Sequence, residues 1–246
     1  MAIQTNKYGF RDRDHPYVKN GGDLRIAFVG DSVTLGIGVE EDDTFVRVFE
    51  REAGVRRPSV NVEAMSYAVD GYNAIQVLEL LRDRVLSFAP DMVVYVMCMN
   101  DFDFDRASGK KGKYFEKPDS FFLRVSERAY RKLSGVGYYN YFFYKNREIV
   151  FREIMKLKPE IDALGIDFRI ALVPIFSTEN FQSQYAIMDM HKEIVSTLVD
   201  NDVAVVDLLE AFEQEVSRPF SFSIDGQHMN AKGHRLVAVH FIDALL

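Results

Sequence analysis

Five short apolar runs punctuate the chain, at 24–29, 60–65, 92–98, 168–175 and 203–208. They are rich in Val, Ile, Phe and Met and lack polar alternation, the pattern of strands buried on both faces of a parallel sheet. Between them, apolar positions recur at helical spacing. Residues 44–53 carry Phe45, Val48 and Phe49 and stop at Gly54, and residues 73–88 carry Ile75, Leu78, Leu81 and Val85 ahead of Ala89-Pro90. The stretch 146–164 stops at Gly165, 181–200 carries Ile187, Met190, Ile194 and Leu198 on one stripe, and 231–245 carries Val237, Phe241 and Leu245. Strands alternating with helices in this way predict right-handed crossovers. The expected fold is a flavodoxin-like three-layer α/β/α sandwich on a five-stranded parallel sheet, order 2-1-3-4-5.

The segment 102–145 breaks the alternation. It holds Gly109-Lys110-Lys111-Gly112-Lys113, then Tyr114-Phe115, Phe121-Phe122 and the cluster Tyr138-Tyr139-Asn140-Tyr141-Phe142-Phe143-Tyr144. It is longer than a crossover needs, so it reads as an insertion or lid over the sheet edge, within one domain spanning 1–246. The aromatic cluster has two readings: the start of a helix packing the insertion onto the body, or an exposed lip that grips an acyl chain, a sugar face or a membrane. Lys110, Lys111 and Lys113 read either as a solvated loop or as a patch that steers an anionic substrate.

With 246 residues and 48% hydrophobic content the chain can build a substantial core. A net charge of −7 argues against a broad nucleic-acid footprint. The lone Cys98 lies inside an apolar run and rules out an internal disulfide, so it reads as a small buried hydrophobe. The polar first twenty residues show no signal h-region, and no eighteen-residue apolar stretch exists. The location expected from the chain as given is cytoplasmic; a chain trimmed of an anchor would be extracytoplasmic or membrane-bound. Membrane contact is not otherwise indicated, and oligomeric state is not written in the residues.

Chemistry concentrates where the strands end. In a parallel sheet all carboxyl ends lie on one edge, where ligands bind. Gly30-Asp31-Ser32 follows the first strand, Ser66 to Asn73 with Gly71 follows the second, Met99-Asn100-Asp101 the third, and Asp225-Gly226-Gln227-His228 the fifth. A hydroxyl at such a turn is placed to be a nucleophile, with an imidazole as base and a carboxylate to orient it. Gly71 allows its own N–H to approach a substrate oxygen, and Asn100 offers an amide donor to that same oxygen. Ser32, Gly71 and Asn100 thus form a candidate oxyanion hole.

Gly30-Asp31-Ser32, Gly71, Asn100-Asp101 and Asp225-x-x-His228 resemble, in order, the four sequence blocks of the SGNH (GDSL-type) hydrolases. The resemblance implies the sandwich fold and serine ester hydrolysis with no metal or cofactor. It implies a triad of Ser32, Asp225 and His228, and oxyanion donors at Ser32, Gly71 and Asn100. It covers roughly 24–101 and 200–246 and says little about 102–165. Asn6-Lys7-Tyr8-Gly9-Phe10-Arg11 and Gly36-Ile37-Gly38-Val39 with Thr44-Phe45 resemble a subgroup often linked to bacterial surface polysaccharides. From it comes the expectation of a short acyl group on a carbohydrate or similar small-molecule ester.

Gly-Asp-Ser by itself is a common turn tripeptide; the ordered set carries the weight. Asp31 and Asp101 read as loop-fixing acids and His234 as a surface or packing residue, while His15, His191 and His240 show no partner nearby in sequence. Asp101, Asp103 and Asp105 alternate, but the Gly and Glu of a calcium loop are missing. Two other functions fit the same residues. An O-acyltransferase would pass the acyl group to a glycan acceptor. A non-catalytic flavodoxin-like module would cradle a phosphate in the 30–38 loop, although no Walker lysine follows and Asp225 and His228 would be idle.

Overall fold

The five apolar runs form five parallel strands in the computed structural model, which describes residues 3–19, 21–104, 137–176, 185–215 and 219–246. They are β1 (Asp23–Gly30), β2 (Asn61–Ala68), β3 (Met92–Cys98), β4 (Asp167–Val173) and β5 (Ala204–Asp207), arranged β2-β1-β3-β4-β5 as expected. β3 is buried along its whole length, which explains its unbroken apolar sequence. The register pairs Gly30 with Ala68 and Val96, Cys98 with Val173, and Leu172 with Asp207, so the carboxyl ends form one edge.

The helices are α1 (Ser32–Leu35), α2 (Phe45–Arg56), α3 (Ala74–Leu80), α4 (Tyr138–Ala163), α5 (Met188–Val199), α6 (Leu208–Glu213) and α7 (Ala231–Leu245). α2 packs on α7 and β2, while α3 and α5 pack on α4. One apolar cluster runs from Phe10 to Leu245, with Phe28, Phe45, Phe49 and Phe241 interlocked edge to face or tilted at its centre.

Several boundaries differ from the sequence reading. Helix α2 does not stop at Gly54 but runs through it to Arg56, β2 extends three residues past 65 to Ala68, and β4 ends at Val173. The expected helix over 73–88 is α3 followed by a π turn at Leu81–Val85 and a 3₁₀ turn at Leu86–Phe88. Leu208 opens α6 and does not extend β5, because Asp207 caps the helix by accepting the Leu209 N–H at 2.9 Å. Helix α5 starts at Met188; of the expected 181–200 segment, residues 181–184 lie outside the described residues. Helix α4 starts at Tyr138, eight residues ahead of the expected 146, so the aromatic cluster makes its first two turns. Phe142 and Phe143 are buried there, in keeping with the packing reading, while Tyr138 and Tyr144 are exposed. Most of the expected lid, including Lys110, Lys111, Lys113, Tyr114, Phe115, Phe121, Phe122 and Asp105, lies outside the described residues.

Candidate active site

At the end of β1, the chain turns so tightly that a Cβ on Gly30 would collide with Thr34 Oγ1 and crowd the Val96 carbonyl. Asp31 then caps α1, its Oδ1 accepting the Val33 N–H at 2.9 Å. Ser32 is the first residue of α1, and at this position backbone N–H groups lack helical partners. The other Asp31 oxygen accepts an Asn100 Nδ2 hydrogen at 2.9 Å and lies 3.3 Å from the Ser32 hydroxyl. Asp31 therefore links the first and third strand ends, beyond its loop-fixing role.

The partner loop comes from the far end of the chain. A 3₁₀ turn at Pro219–Phe222 leads into a Ser223–Met229 bridge, which pinches residues 224–228 into a tight loop. The Ile224 N–H donates to the His228 carbonyl at 2.9 Å, and the Phe176 N–H, just past β4, donates to the Gly226 carbonyl at 2.8 Å. His228 Nε2 consequently lies 2.9 Å from Ser32 Oγ, across 196 residues of sequence. Its Nδ1 lies 2.6 Å from Asp225 Oδ2. An Nδ1–H donated to Asp225 leaves the Nε2 lone pair for the Ser32 proton, the tautomer that base chemistry requires. Burial pushes the Asp225 carboxyl up, but hydrogen bonds from the His228 ring and from the His228 and Gln227 amides outweigh it and hold the carboxyl below the usual range.

Asn100 sits in the 3₁₀ turn Met99–Phe102 directly after β3. That turn is held by α4: Asn146 Nδ2 donates to the Phe102 carbonyl at 2.7 Å, and Tyr138 hydrogen-bonds Asp103. One Asn100 amide hydrogen is committed to Asp31, which leaves the second for a ligand oxygen. Asp101 lies beneath, fully buried, accepting the Tyr95 hydroxyl at 2.6 Å and the Cys98 N–H at 3.1 Å. Burial, then the charge of Asp31, pushes its carboxyl well above the usual range. Burial and the same two acids push the Cys98 thiol up, so Cys98 stays an inert thiol. Gly71 follows β2 beside the nucleophile turn, since the Val69 N–H donates to the Gly30 carbonyl at 3.2 Å. Its φ of 74° explains the glycine, and nothing lies within 4 Å of where a Cβ would project.

All five expected site residues thus lie on the carboxyl edge of the sheet. The remaining histidines sort differently. His234 is buried on α7, stacked on Phe45 and accepting the Phe45 N–H at 3.2 Å. His15 and His191 have partners the sequence reading missed. Asp12 stands three residues before His15, the same spacing as Asp225 and His228, and its carboxylate lies 3.1 Å from His15 Nε2. The other His15 nitrogen faces Glu63 at 2.7 Å, so both ring nitrogens meet carboxylates and no hydroxyl is in place. His191 bridges Tyr185 and Asp207, at 3.3 and 2.8 Å.

The family model of the GDSL-like lipase/acylhydrolase family matches residues 28–236. Among solved structures, the acetyl xylan esterase AlAXEase superposes with a TM-score of 0.61 at 17% identity, covering 91% of this chain and 100% of that one. A catalytic mutant of Axe2, an acetylxylan esterase from Geobacillus stearothermophilus, gives a TM-score of 0.59 at 17% identity, covering 92% and 95%. LAE5, an α/β hydrolase enzyme from the metagenome of Lake Arreo, Spain, gives 0.60 at 17%, covering 93% and 96%. At these identities the likeness is one of fold. No curated protein sequence matches the chain at a significant level.

Proposed function

The chain belongs to the GDSL-like lipase/acylhydrolase family and is a carboxylic ester hydrolase, and from that premise we propose that Ser32, His228 and Asp225 perform the chemistry on a short acyl ester of a carbohydrate. The observation that carries the reading is the continuous chain from Ser32 Oγ to His228 Nε2 at 2.9 Å and from His228 Nδ1 to Asp225 at 2.6 Å. Ser32 Oγ attacks the ester carbonyl carbon while His228 takes its proton, a general-base step worth about 10²–10⁴ in rate. The oxyanion that forms is met by the Ser32 and Gly71 backbone N–H groups and the free Asn100 amide hydrogen. Collapse expels the alcohol, which receives the proton from His228, and water then releases the acid by the same steps.

Two observations support the carbohydrate ester. Structures of similar fold include proteins named as acetyl xylan esterases. The Asp225 side chain is also 49% exposed, so the acid side of the triad, unlike the buried Ser32, faces solvent, where a polar alcohol half would stay hydrated. Passing the same acyl group to a sugar hydroxyl, as an O-acyltransferase, needs only a different acceptor.

The test measures hydrolysis of p-nitrophenyl acetate, longer p-nitrophenyl esters and acetylated xylo-oligosaccharides, with products resolved in the presence of an added glycan. The expected result is acetate release that Ser32→Ala abolishes, together with fluorophosphonate labelling of wild type alone. Wild-type turnover in Ser32→Ala would end the reading.

A further inference from the structure

Two motifs stand outside the reaction just described: Asn6 to Arg11 and Gly36 to Val39. In the fold they meet. Asn6 Oδ1 accepts the Tyr8 and Phe10 N–H groups at 3.0 and 3.1 Å, folding the N-terminal segment so that Phe10 and Arg11 point inward. Phe10 packs edge-on against Tyr67 of β2. Asp12 fastens the next residue by accepting the Ser66 N–H at 2.7 Å. Arg11 itself reaches the turn that follows α1. One terminal nitrogen donates to the Leu35 and Gly36 carbonyls at 3.0 and 2.7 Å, and the other donates to the Val39 carbonyl at 2.7 Å.

The position of that turn matters for chemistry. α1 has only four residues, and it ends at Gly36 in the left-handed region with φ 75°. The Ser32 and Val33 carbonyls accept the Ile37 and Gly36 N–H groups, while the guanidinium takes the last carbonyl of the helix, that of Leu35, together with those of Gly36 and Val39 beyond its end. Two parts of the site rest on the held turn. The Ile37 N–H donates to the Ser32 carbonyl at 3.2 Å, directly behind the nucleophile. The Ile224 side chain sits against Gly38, occupying the space a Cβ there would need. Ile224 is the residue before Asp225, and its N–H bonds the His228 carbonyl. The turn at 35–39 thus touches both the nucleophile and the loop carrying the base and acid. Arg11 is only 5% exposed, so it does not reach a substrate itself.

We propose that Arg11 is a positioning residue for the esterase site: by clamping the Leu35, Gly36 and Val39 carbonyls it holds Ser32 and the 224–228 loop at the spacing that proton transfer needs. The proposal rests on the Ser32–His228 reading above. Three converging carbonyls require a planar, forked donor, which a lysine ammonium is not.

The experiment compares Arg11→Met, Arg11→Lys and Phe10→Leu in the full chain, reading kcat and KM for p-nitrophenyl acetate, thermal midpoint and the ¹⁵N signals of the His228 ring. Arg11→Met should lose about 10–100-fold in kcat with KM nearly unchanged, as expected of a small misplacement of reacting groups. Its Nε2 signal should move toward that of Ser32→Ala. Arg11→Lys should lose about 5-fold or more, because one ammonium cannot span the three carbonyls. Phe10→Leu should lower the thermal midpoint and leave kcat and the ring signals alone. Wild-type kcat in folded Arg11→Met overturns the proposal, as does a kcat loss in Phe10→Leu that matches its stability loss. If Arg11→Met does not fold, wild-type kcat in Arg11→Lys overturns it. If wild type neither hydrolyses esters nor takes the fluorophosphonate, the ester-hydrolase reading falls. The Arg11 assignment then depends on the ring signals alone, and Arg11 variants with unchanged His228 signals refute it.

Discussion

His234 offers a measurement of how much acid sensitivity a single buried ring builds into this fold. It is 1% exposed on α7, and its Nδ1 accepts the Phe45 N–H at 3.2 Å. Burial first, then the nearby Arg11 guanidinium and the His228 ring, pushes its pKa down from 6.5 to about 3. The folded protein therefore keeps this ring neutral, while the unfolded chain takes up a proton once the pH drops below about 6.5. The sign follows: the stability held by a neutral His234 is intact above about pH 6.5 and is lost progressively as pH falls toward 3. At pH 5 the unfolded chain gains about 2 kcal/mol from that proton, and at pH 4 about 3 kcal/mol. Those losses are a sizeable part of the 5–15 kcal/mol that typically holds a domain together. His234→Asn keeps an oxygen to accept the Phe45 N–H but cannot titrate. Urea unfolding of both proteins at pH 7, 6 and 5 isolates the effect, because every other titrating group is common to the two. The variant should be less stable at pH 7 through lost ring packing, and the gap should narrow by about 2 kcal/mol at pH 5. Stability curves that run parallel across that range would refute the reasoning.

Removing the Asn100 amide (Asn100→Ala) should lower kcat for p-nitrophenyl acetate by about 10²–10³ with little change in KM, since the bond to the oxyanion exists only in the transition state. Gly71→Ala should cost about 1 kcal/mol by urea unfolding because of the positive φ, and should lower kcat by more than that strain implies if the 71 amide faces the substrate. Glu63 joins His15 to Arg25, and Arg25 is fully buried, so Glu63→Ala should destabilise by about 3–5 kcal/mol in the same assay. Arg13 makes a pair with Glu50 at 2.6 Å but is 49% exposed, so Arg13→Ala should cost no more than about 1 kcal/mol.

Strands were the most legible part of the chain because a parallel sheet buried on both faces demands unbroken apolar runs, as in Met92–Cys98. Their ends were less so. Asp207 closes β5 and caps α6 at once, and a polar residue after Val206 does not show which role it plays. The early start of α4 was hidden for another reason. Residues 138–144 are aromatic on nearly every face of the helix, so the stripe that marks a half-buried helix is absent.

The histidines show why the order of the blocks was more informative than any single spacing. Asp12-x-x-His15 and Asp225-x-x-His228 are the same pattern, and in both the carboxylate reaches the ring. What separates them is the group on the far ring nitrogen: a second carboxylate, Glu63, for His15, and the Ser32 hydroxyl for His228. Neither neighbour is local in sequence; each is delivered by a strand or the turn after one. Ser32 became readable because Gly30-Asp31-Ser32 marks a strand end by itself, and the parallel topology places all such ends on one edge. Arg11 and its partner turn were visible as motifs but not as a contact, since the partners are backbone carbonyls 24 to 28 residues away and a carbonyl leaves no trace in side-chain identity. Side chains that act on side chains can be matched from sequence. Those that act on backbone must be found in the fold.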